Sequence, residues 1–193
     1  MCRWFTQLKQ RMDVDEFAAM SEGDPRPMEL IDGEVVVMNH PRWAHARLQS
    51  VLMGEFLAWE RQAPGRAQAA APTAVELTEH DHYGPDVVVA RADAPLDERG
   101  YLAEAPLICV EIRSPSTWRY DIGRKKSVYE AEGVAEVWLV DGVAEVVLVF
   151  RRSRPGQPAY DVALELGTTE SLTSPLLPGF ALALEGLFAA ARR

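Results

Sequence analysis

Cysteine is nearly absent: only Cys2 and Cys109 occur among 193 residues, one near the start and one inside an apolar run. That spacing supports no disulfide framework and no thiolate cluster for zinc, and Cys109 reads as a small core residue. Long hydrophobic runs are missing as well. No segment approaches the roughly 20 apolar residues that span a bilayer, and no apolar signal segment follows Met1. Cytoplasmic residence with no membrane partner is the expectation. Positive charge is scarce, since 20 Lys and Arg face 29 Asp and Glu for a net charge of −9, which argues against indiscriminate binding of nucleic acid. Gly-x-Ser-x-Gly is absent, which removes the commonest serine-hydrolase pattern. Helix-turn-helix and zinc-finger patterns are absent too, so no base-reading module can be named.

What is there suits one globular domain, 1–193 with a core over about 15–188, since hydrophobic residues make up 48% and charged residues 25%. No internal repeat or long linker divides it. The most informative residue is Glu111, a carboxylate inside the run Pro106–Ile112, which reads as a strand covered on both faces. A charge there is costly unless it is paired or binds a cation. Asp86 precedes a second apolar run, Val87–Ala90. Two carboxylates brought together by neighbouring buried strands offer oxygen ligands to magnesium, which needs few from the protein.

Pattern and punctuation predict the elements. Asp13–Glu16 has capping-box character before a short helix through Met20. Glu29–Met38 reads as a hairpin turning at Asp32-Gly33, and His45–Arg61 as a helix with Leu48, Val51, Leu52, Phe56 and Trp59 on one stripe. Strands follow at Ala74–Leu77, from Asp86 and from Leu107. A second helix is expected after Thr117 to about Ala131, with Ile122 and Tyr129 facing the core and Gly133 as its stop. Glu136–Val140 and Ala144–Phe150 form a hairpin turning at Asp141-Gly142, and Tyr160–Leu166 alternates like an edge strand. A turn at Ser174–Gly179 precedes a short terminal helix. The class is mixed α/β (α+β), a central sheet flanked by helices.

Basic residues cluster despite the acidic total: Arg113, Arg119, Arg124, Lys125 and Lys126 in one segment, and Arg151, Arg152 and Arg154 in another. The first cluster is either a seat for a polyanion or a solvated helix face. Taken singly, the acids have plain alternatives. Glu111 could be a paired structural acid, Asp86 a turn residue, and Lys125 with Asp121 an i, i+4 helix pair. Glu29 has the alternative of an exposed acid flanking the hairpin, and Glu34 reads as a surface residue on a strand. His80-Asp-His-Tyr83 is expected in an exposed loop, because no second cluster completes a transition-metal site. Trp59 and Trp138 read as core, while Trp43 and Trp118 are expected in loops. Ser114 and Ser116 are expected to cap the helix that holds Lys125.

The ordered set Pro85-Asp86, Val110–Thr117, Asp121–Lys125, Tyr129 and Gly133–Asp141 resembles the Uma-two family of restriction-endonuclease-like proteins, within the PD-(D/E)XK nuclease superfamily. Glu29–Glu34 and Ser174–Gly179 match its pattern too, so the resemblance covers about Asp15 to Phe188. It implies a restriction-endonuclease-like fold and a Mg2+-dependent endodeoxyribonuclease, with Mn2+ as a substitute, acting on DNA as a homodimer. Asp86 and Glu111 would be the metal acids and the backbone carbonyl of Ile112 a third ligand, with Glu29 close by. The superfamily's lysine two residues after Glu111 is Arg113 here. Lys125 matches the lysine that similar members carry on the following helix, and it takes the role of supporting the attacking water. Arginine does not exchange a proton near neutral pH, so Arg113 is kept as a candidate phosphate contact together with His45. The rival is a catalytically inactive nuclease-fold module that binds nucleic acid or a protein partner.

Overall fold

The computed structural model describes residues 11–62, 64–114 and 118–192, apart from the side chain of Arg119. Cys2, Ser116 and the Arg119 side chain, named above, lie outside the described residues. The chain opens with α1 (Val14–Ser21), fixed by a capping box in which Asp13 accepts from the Glu16 N–H at 2.8 Å and Glu16 accepts from the Asp13 N–H at 3.1 Å. The hairpin β1 (Met28–Ile31) and β2 (Glu34–Val37) turns at Asp32 and Gly33, both in the left-handed region with φ of 56° and 75°. Two positive φ values favour Gly, Asn and Asp, as in a type I′ turn. Gly33 is also required for space, because a Cβ there would lie 2.6 Å from that of Arg11.

Helix α2 (Trp43–Gln62) buries Leu48, Leu52, Phe56 and Trp59, the expected stripe apart from half-buried Val51. Then come β3 (Ala67–Ala70), β4 (Val75–Thr78), β5 (Asp81–Tyr83), β6 (Val87–Arg91) and β7 (Ile108–Ile112). Helix α3 (Trp118–Tyr120) runs through a π-helical turn, Asp121–Lys125, into α4 (Lys126–Ala131). Strands β8 (Glu136–Asp141), β9 (Val146–Arg151), β10 (Val162–Leu166), β11 (Ser171–Leu172) and β12 (Leu182–Ala183) precede α5 (Leu184–Ala191).

A six-stranded sheet in the order β10-β9-β8-β7-β6-β3 forms the centre, and only β7 and β8 run parallel in it. That parallel pair requires a crossover, and the crossover is the α3–α4 segment. A second sheet, β2-β1-β5-β4, stands beside it. Strands β6, β7 and β8 are buried on both faces, with alternate residues joining different cores. Val87, Val89, Ile108, Val110, Trp138 and Val140 pack with α2 and α5; Val88, Cys109, Val137 and Leu139 pack with α4 and the second sheet. On the α2 side Phe56 stacks on Trp138 at 5.7 Å and on Phe180 at 4.9 Å between ring centroids. Among the described residues, no helix is long and apolar enough to cross a membrane.

Three expectations need correction, and one strand was not expected at all. Strand β3 falls in Ala67–Ala70, whose alanines carry no strand signal; pairing with β6 creates it. His82 lies on β5 and His80 just before it, both half-buried, with their Nδ1 atoms 3.0 Å from Glu76 and from the Met12 carbonyl respectively. Trp43 and Trp118 are the first residues of α2 and α3 and do not lie in loops. Ile122 is 45% exposed while Tyr129 is fully buried. The wider π turn between them shifts the helical phase, so the heptad relation fails.

Candidate active site

Register builds the site. Val87 pairs with Val110 and Val88 with Cys109, so continuing the antiparallel ladder by one residue sets Asp86 opposite Glu111. Glu111 shares its face with Cys109, toward α4 and the second sheet, and is 3% exposed. Asp86 sits at the mouth of β6, where its Oδ2 accepts from the Ile112 N–H at 2.6 Å. Helix α2 clamps it from above. Gln49 donates to the Asp86 carbonyl at 2.7 Å, and His45, one turn earlier, places Nε2 3.3 Å from Asp86 Oδ2. His45 thus sits within the helix against a site acid. The Nδ1 atom of His45 is buried without a hydrogen-bond partner among the described residues.

The π turn delivers Lys125. Its Nζ lies 2.8 Å from Glu29 Oε1, 3.2 Å from Glu111 Oε1 and 3.4 Å from Asp121 Oδ1. All four residues are at most 3% exposed. Asp121 and Lys125 are therefore part of a buried cluster and not a solvent-exposed i, i+4 pair. Glu29 is buried on β1 and not exposed beside the hairpin. Tyr129 donates to Glu111 Oε1 at 2.6 Å. Asp121 and Tyr129 belong to the site as well, although spacing alone assigns them only a helix pair and a core face. The signal for them was their phase with Lys125 on one short helix, and the π turn hides it.

The electrostatics are lopsided. Burial pushes the Glu111 carboxyl well up; Lys125 opposes this, while Asp121, Glu29 and Asp86 push it higher still. For Lys125 burial works against the charged form, but attraction to Glu111, Glu29 and Asp121 outweighs it and the pKa rises. The ammonium therefore stays protonated throughout the physiological range. His45 follows the same pattern: burial lowers its pKa, and the larger combined effect of Asp86, the Ile112 backbone and Asp121 raises it.

Arg113 lies beyond the end of β7 and does not join this cluster. It donates to Asp141 at 2.5 Å and its guanidinium lies 5.6 Å from the centre of the Trp118 ring. Two more residues of the basic segment are engaged. Arg124 reaches Asp32 at 2.9 Å and Asp81 at 3.2 Å, and Lys126 lies 4.6 Å from the Phe150 ring centre. In the second cluster, Arg151 Nη1 is 3.8 Å from buried Glu136, and Arg152 donates to the carbonyls of Glu130, Val134 and Gln157. Arg113, Arg124, Lys125, Lys126, Arg151 and Arg152 are therefore engaged in structural ties.

Among the described residues, no three His, Cys, Asp or Glu side chains stand ready as a metal cage. The donors nevertheless fit a hard cation that needs few protein ligands. Four carboxylates (Glu29, Asp86, Glu111 and Asp121) act on a centre that holds one ammonium, and Glu29 Oε2 is buried without a hydrogen-bond partner. Asp86 and Glu111 supply oxygens at adjoining strands, with the Ile112 backbone between them and His45.

The model of the Uma2 family, described as "Putative restriction endonuclease", matches residues 14–185. A solved structure from Anabaena variabilis, described as a putative nuclease belonging to DUF820, superposes with a TM-score of 0.77 at 21% identity, covering 93% of this chain and 99% of that one. No curated protein matches.

Proposed function

Since the chain belongs to the Uma2 family of restriction-endonuclease-like proteins, we propose that it is a metal-dependent deoxyribonuclease working at the Asp86–Glu111 centre. Asp86 and Glu111 would hold one divalent ion, Mg2+ or Mn2+, with the Ile112 carbonyl as a backbone ligand. When bound, such an ion polarises a phosphoryl oxygen and acidifies a water. The observation that carries this reading is Lys125 Nζ held 2.8 Å from Glu29 and 3.2 Å from Glu111, on the strand that abuts Asp86.

Each residue then has a task. Lys125 remains an ammonium, so it acts as a fixed positive charge beside the phosphate and takes no proton from water. Glu29 and Asp121 hold that ammonium in place, and Tyr129 orients Glu111. The Ile112 N–H and His45 fix one oxygen of Asp86, leaving the other for the ion. Arg113 would assist only indirectly, by tying the end of β7 to Asp141.

Plasmid nicking in Mg2+ or Mn2+ tests this reading. The wild-type chain should cut, and Asp86→Ala and Lys125→Ala should each lower the rate at least a hundredfold, the scale of a lost electrostatic contact in a water-poor site. Cleavage that survives either substitution would rule the assignment out. Metal-independent binding with no nicking by any preparation would favour the inactive module.

A further inference from the structure

Two hairpin tips meet beside the turn that carries Lys125, and one buried acid ties them together. Asp81 opens β5 at 1% exposure. Its Oδ1 accepts from the Asp32 N–H at 2.9 Å and from the Tyr83 hydroxyl at 2.5 Å. Its Oδ2 accepts from the Thr78 hydroxyl at 2.7 Å and from Arg124 at 3.2 Å. The Gly33 N–H donates to the His80 carbonyl at 2.8 Å, which joins the same two tips through the backbone. A buried carboxylate is costly without such partners. A neutral acceptor would serve the Asp32 N–H and the Thr78 hydroxyl; the full charge is what suits a guanidinium.

Arg124 is the residue before Lys125 in the π turn. It also reaches Asp32 Oδ1 at 2.9 Å, so one guanidinium bridges an acid on each tip. Lys125 makes the next attachment to the same sheet, through Glu29 on β1 at 2.8 Å. Tyr83 lies two residues beyond Asp81 and so on the same face of β5, and its buried ring centre is 5.6 Å from Lys125 Nζ. That ring meets Tyr129 edge-on at 5.6 Å, and Tyr129 donates to Glu111. Asp81 thus holds the chain neighbour of Lys125 and the ring beside it. Among the described residues it makes no ion pair with Lys125 itself. An isolated π turn is a rare conformation, found mostly at functional sites, and this one is tied from outside the helix.

We propose that Asp81 is a positioning residue for the Asp86–Glu111 centre: through Arg124 and Tyr83 it fixes the π turn, and so the place of the Lys125 ammonium, without touching substrate. This rests on the nuclease reading and adds to it a residue outside the reaction centre. The ammonium acts as a fixed charge, and its attraction to a phosphate oxygen weakens with distance in a water-poor site. A misplacement of about 1 Å costs roughly a hundredfold in rate. Glu29 and Glu111 hold the tip of the Lys125 side chain, while Arg124 holds the backbone that carries it. Loss of the second tie alone is a partial displacement, so the expected loss is about tenfold.

Single-turnover plasmid nicking in Mg2+ reads the chemical step, anisotropy of a labelled duplex in Ca2+ reads DNA binding, and a Mg2+ titration by scanning fluorimetry reads the ion. Asp81→Asn, Arg124→Ala and Arg124→Lys are compared with wild type at neutral pH, where circular dichroism checks that each is folded. Asp81→Asn and Arg124→Ala should slow nicking about tenfold and leave both affinities within about twofold, the split of an effect on chemistry and not on binding. Arg124→Lys still reaches one acid and should stay within about threefold of wild type. In nitrogen-labelled protein the Lys125 ammonium resonance, identified by NMR from its loss in Lys125→Met, should move in Asp81→Asn and Arg124→Ala. It should not move in Asp24→Asn, which breaks an exposed pair with Arg26. Equal losses of rate, DNA affinity and ion affinity, a rate unchanged by both substitutions, or an ammonium resonance that stays in place would overturn the positioning role and leave the nuclease reading standing. Wild type that nicks nothing would overturn the nuclease reading. The resonance would then decide the hold of Asp81 on Lys125 by itself, moving if the hold exists and staying if it does not.

Discussion

Replacing Lys125 with methionine keeps an unbranched side chain one atom shorter and removes the charge. In the folded chain it would leave Glu29, Glu111 and Asp121 facing one another at 3% exposure or less without their cation. Removing one partner of a buried ion cluster costs about 3–5 kcal/mol, against a total stability of about 5–15 kcal/mol for a domain. Lys125→Met should therefore unfold in urea at a markedly lower midpoint than wild type at pH 8 without divalent ions. The loss should depend on pH. Burial already raises Glu111 above its ordinary 4.5, and loss of the opposing ammonium raises it further. A carboxyl whose folded pKa is raised stabilises fully below the unfolded value, and that contribution is lost as pH rises toward the folded one, by about 1.4 kcal/mol per pH unit across the window. The variant should thus stand closer to wild type at pH 5 than at pH 8. A variant within about 0.5 kcal/mol of wild type at pH 8, well below the cost of an unpaired buried charge, would refute the buried-cluster account. So would a deficit larger at pH 5.

Other outcomes follow from the same contacts. Tyr129→Phe removes the 2.6 Å bond to Glu111 and should cost about 1.5–3 kcal/mol, the range for a bond to a charged group, read by urea unfolding. Gly33→Ala meets a φ of 75° and a Cβ 2.6 Å from that of Arg11, so about 1–3 kcal/mol should be lost in thermal melts. Magnesium at a hundred times its dissociation constant should stabilise by about 2.7 kcal/mol; differential scanning fluorimetry should show this for wild type and not for Asp86→Asn, with a chelator reversing it. Asp81 is pulled below its ordinary 3.8: burial pushes its pKa up, but Tyr83, Asp32, Thr78 and Arg124 outweigh it. Asp81→Asn should be less stable than wild type at pH 7, and that deficit should shrink as the pH falls below 3.8, where wild type loses the same contribution.

The sheet was legible because burial on both faces leaves its mark in residue type: Val87–Ala90, Ile108–Ile112 and Glu136–Val140 are runs that only a covered strand tolerates. Glu111 stood out for the same reason, as the exception within such a run. The Asp32-Gly33 turn was legible from backbone chemistry. The Asp141 hairpin was legible in kind but not in length. Its loop runs to Glu145, which takes the positive φ of 55°, while Asp141 caps the N–H groups of Val143 and Ala144 at 2.9 Å. What stayed hidden depends on partners distant in sequence. Alanine-rich β3 exists because β6 offers it a ladder, and Glu29 is buried because Lys125 arrives from 96 residues away. Ile122 was misplaced because composition does not announce a π turn. Arg113, Arg124 and Arg152 looked like free charge until their carboxylates and carbonyls were found elsewhere in the chain.

One extra residue in the turn Asp121–Lys125 lets a helix, and not the neighbouring strand, present the cation to the carboxylates. Deleting Gly123, whose Cβ position opens onto empty space, would tighten the turn to an ordinary helix in which Asp121 and the lysine stand three apart, still on one face. The crossover thus absorbs an added residue within one wide turn, and the acid and the cation keep a common face while the sheet strands keep their register.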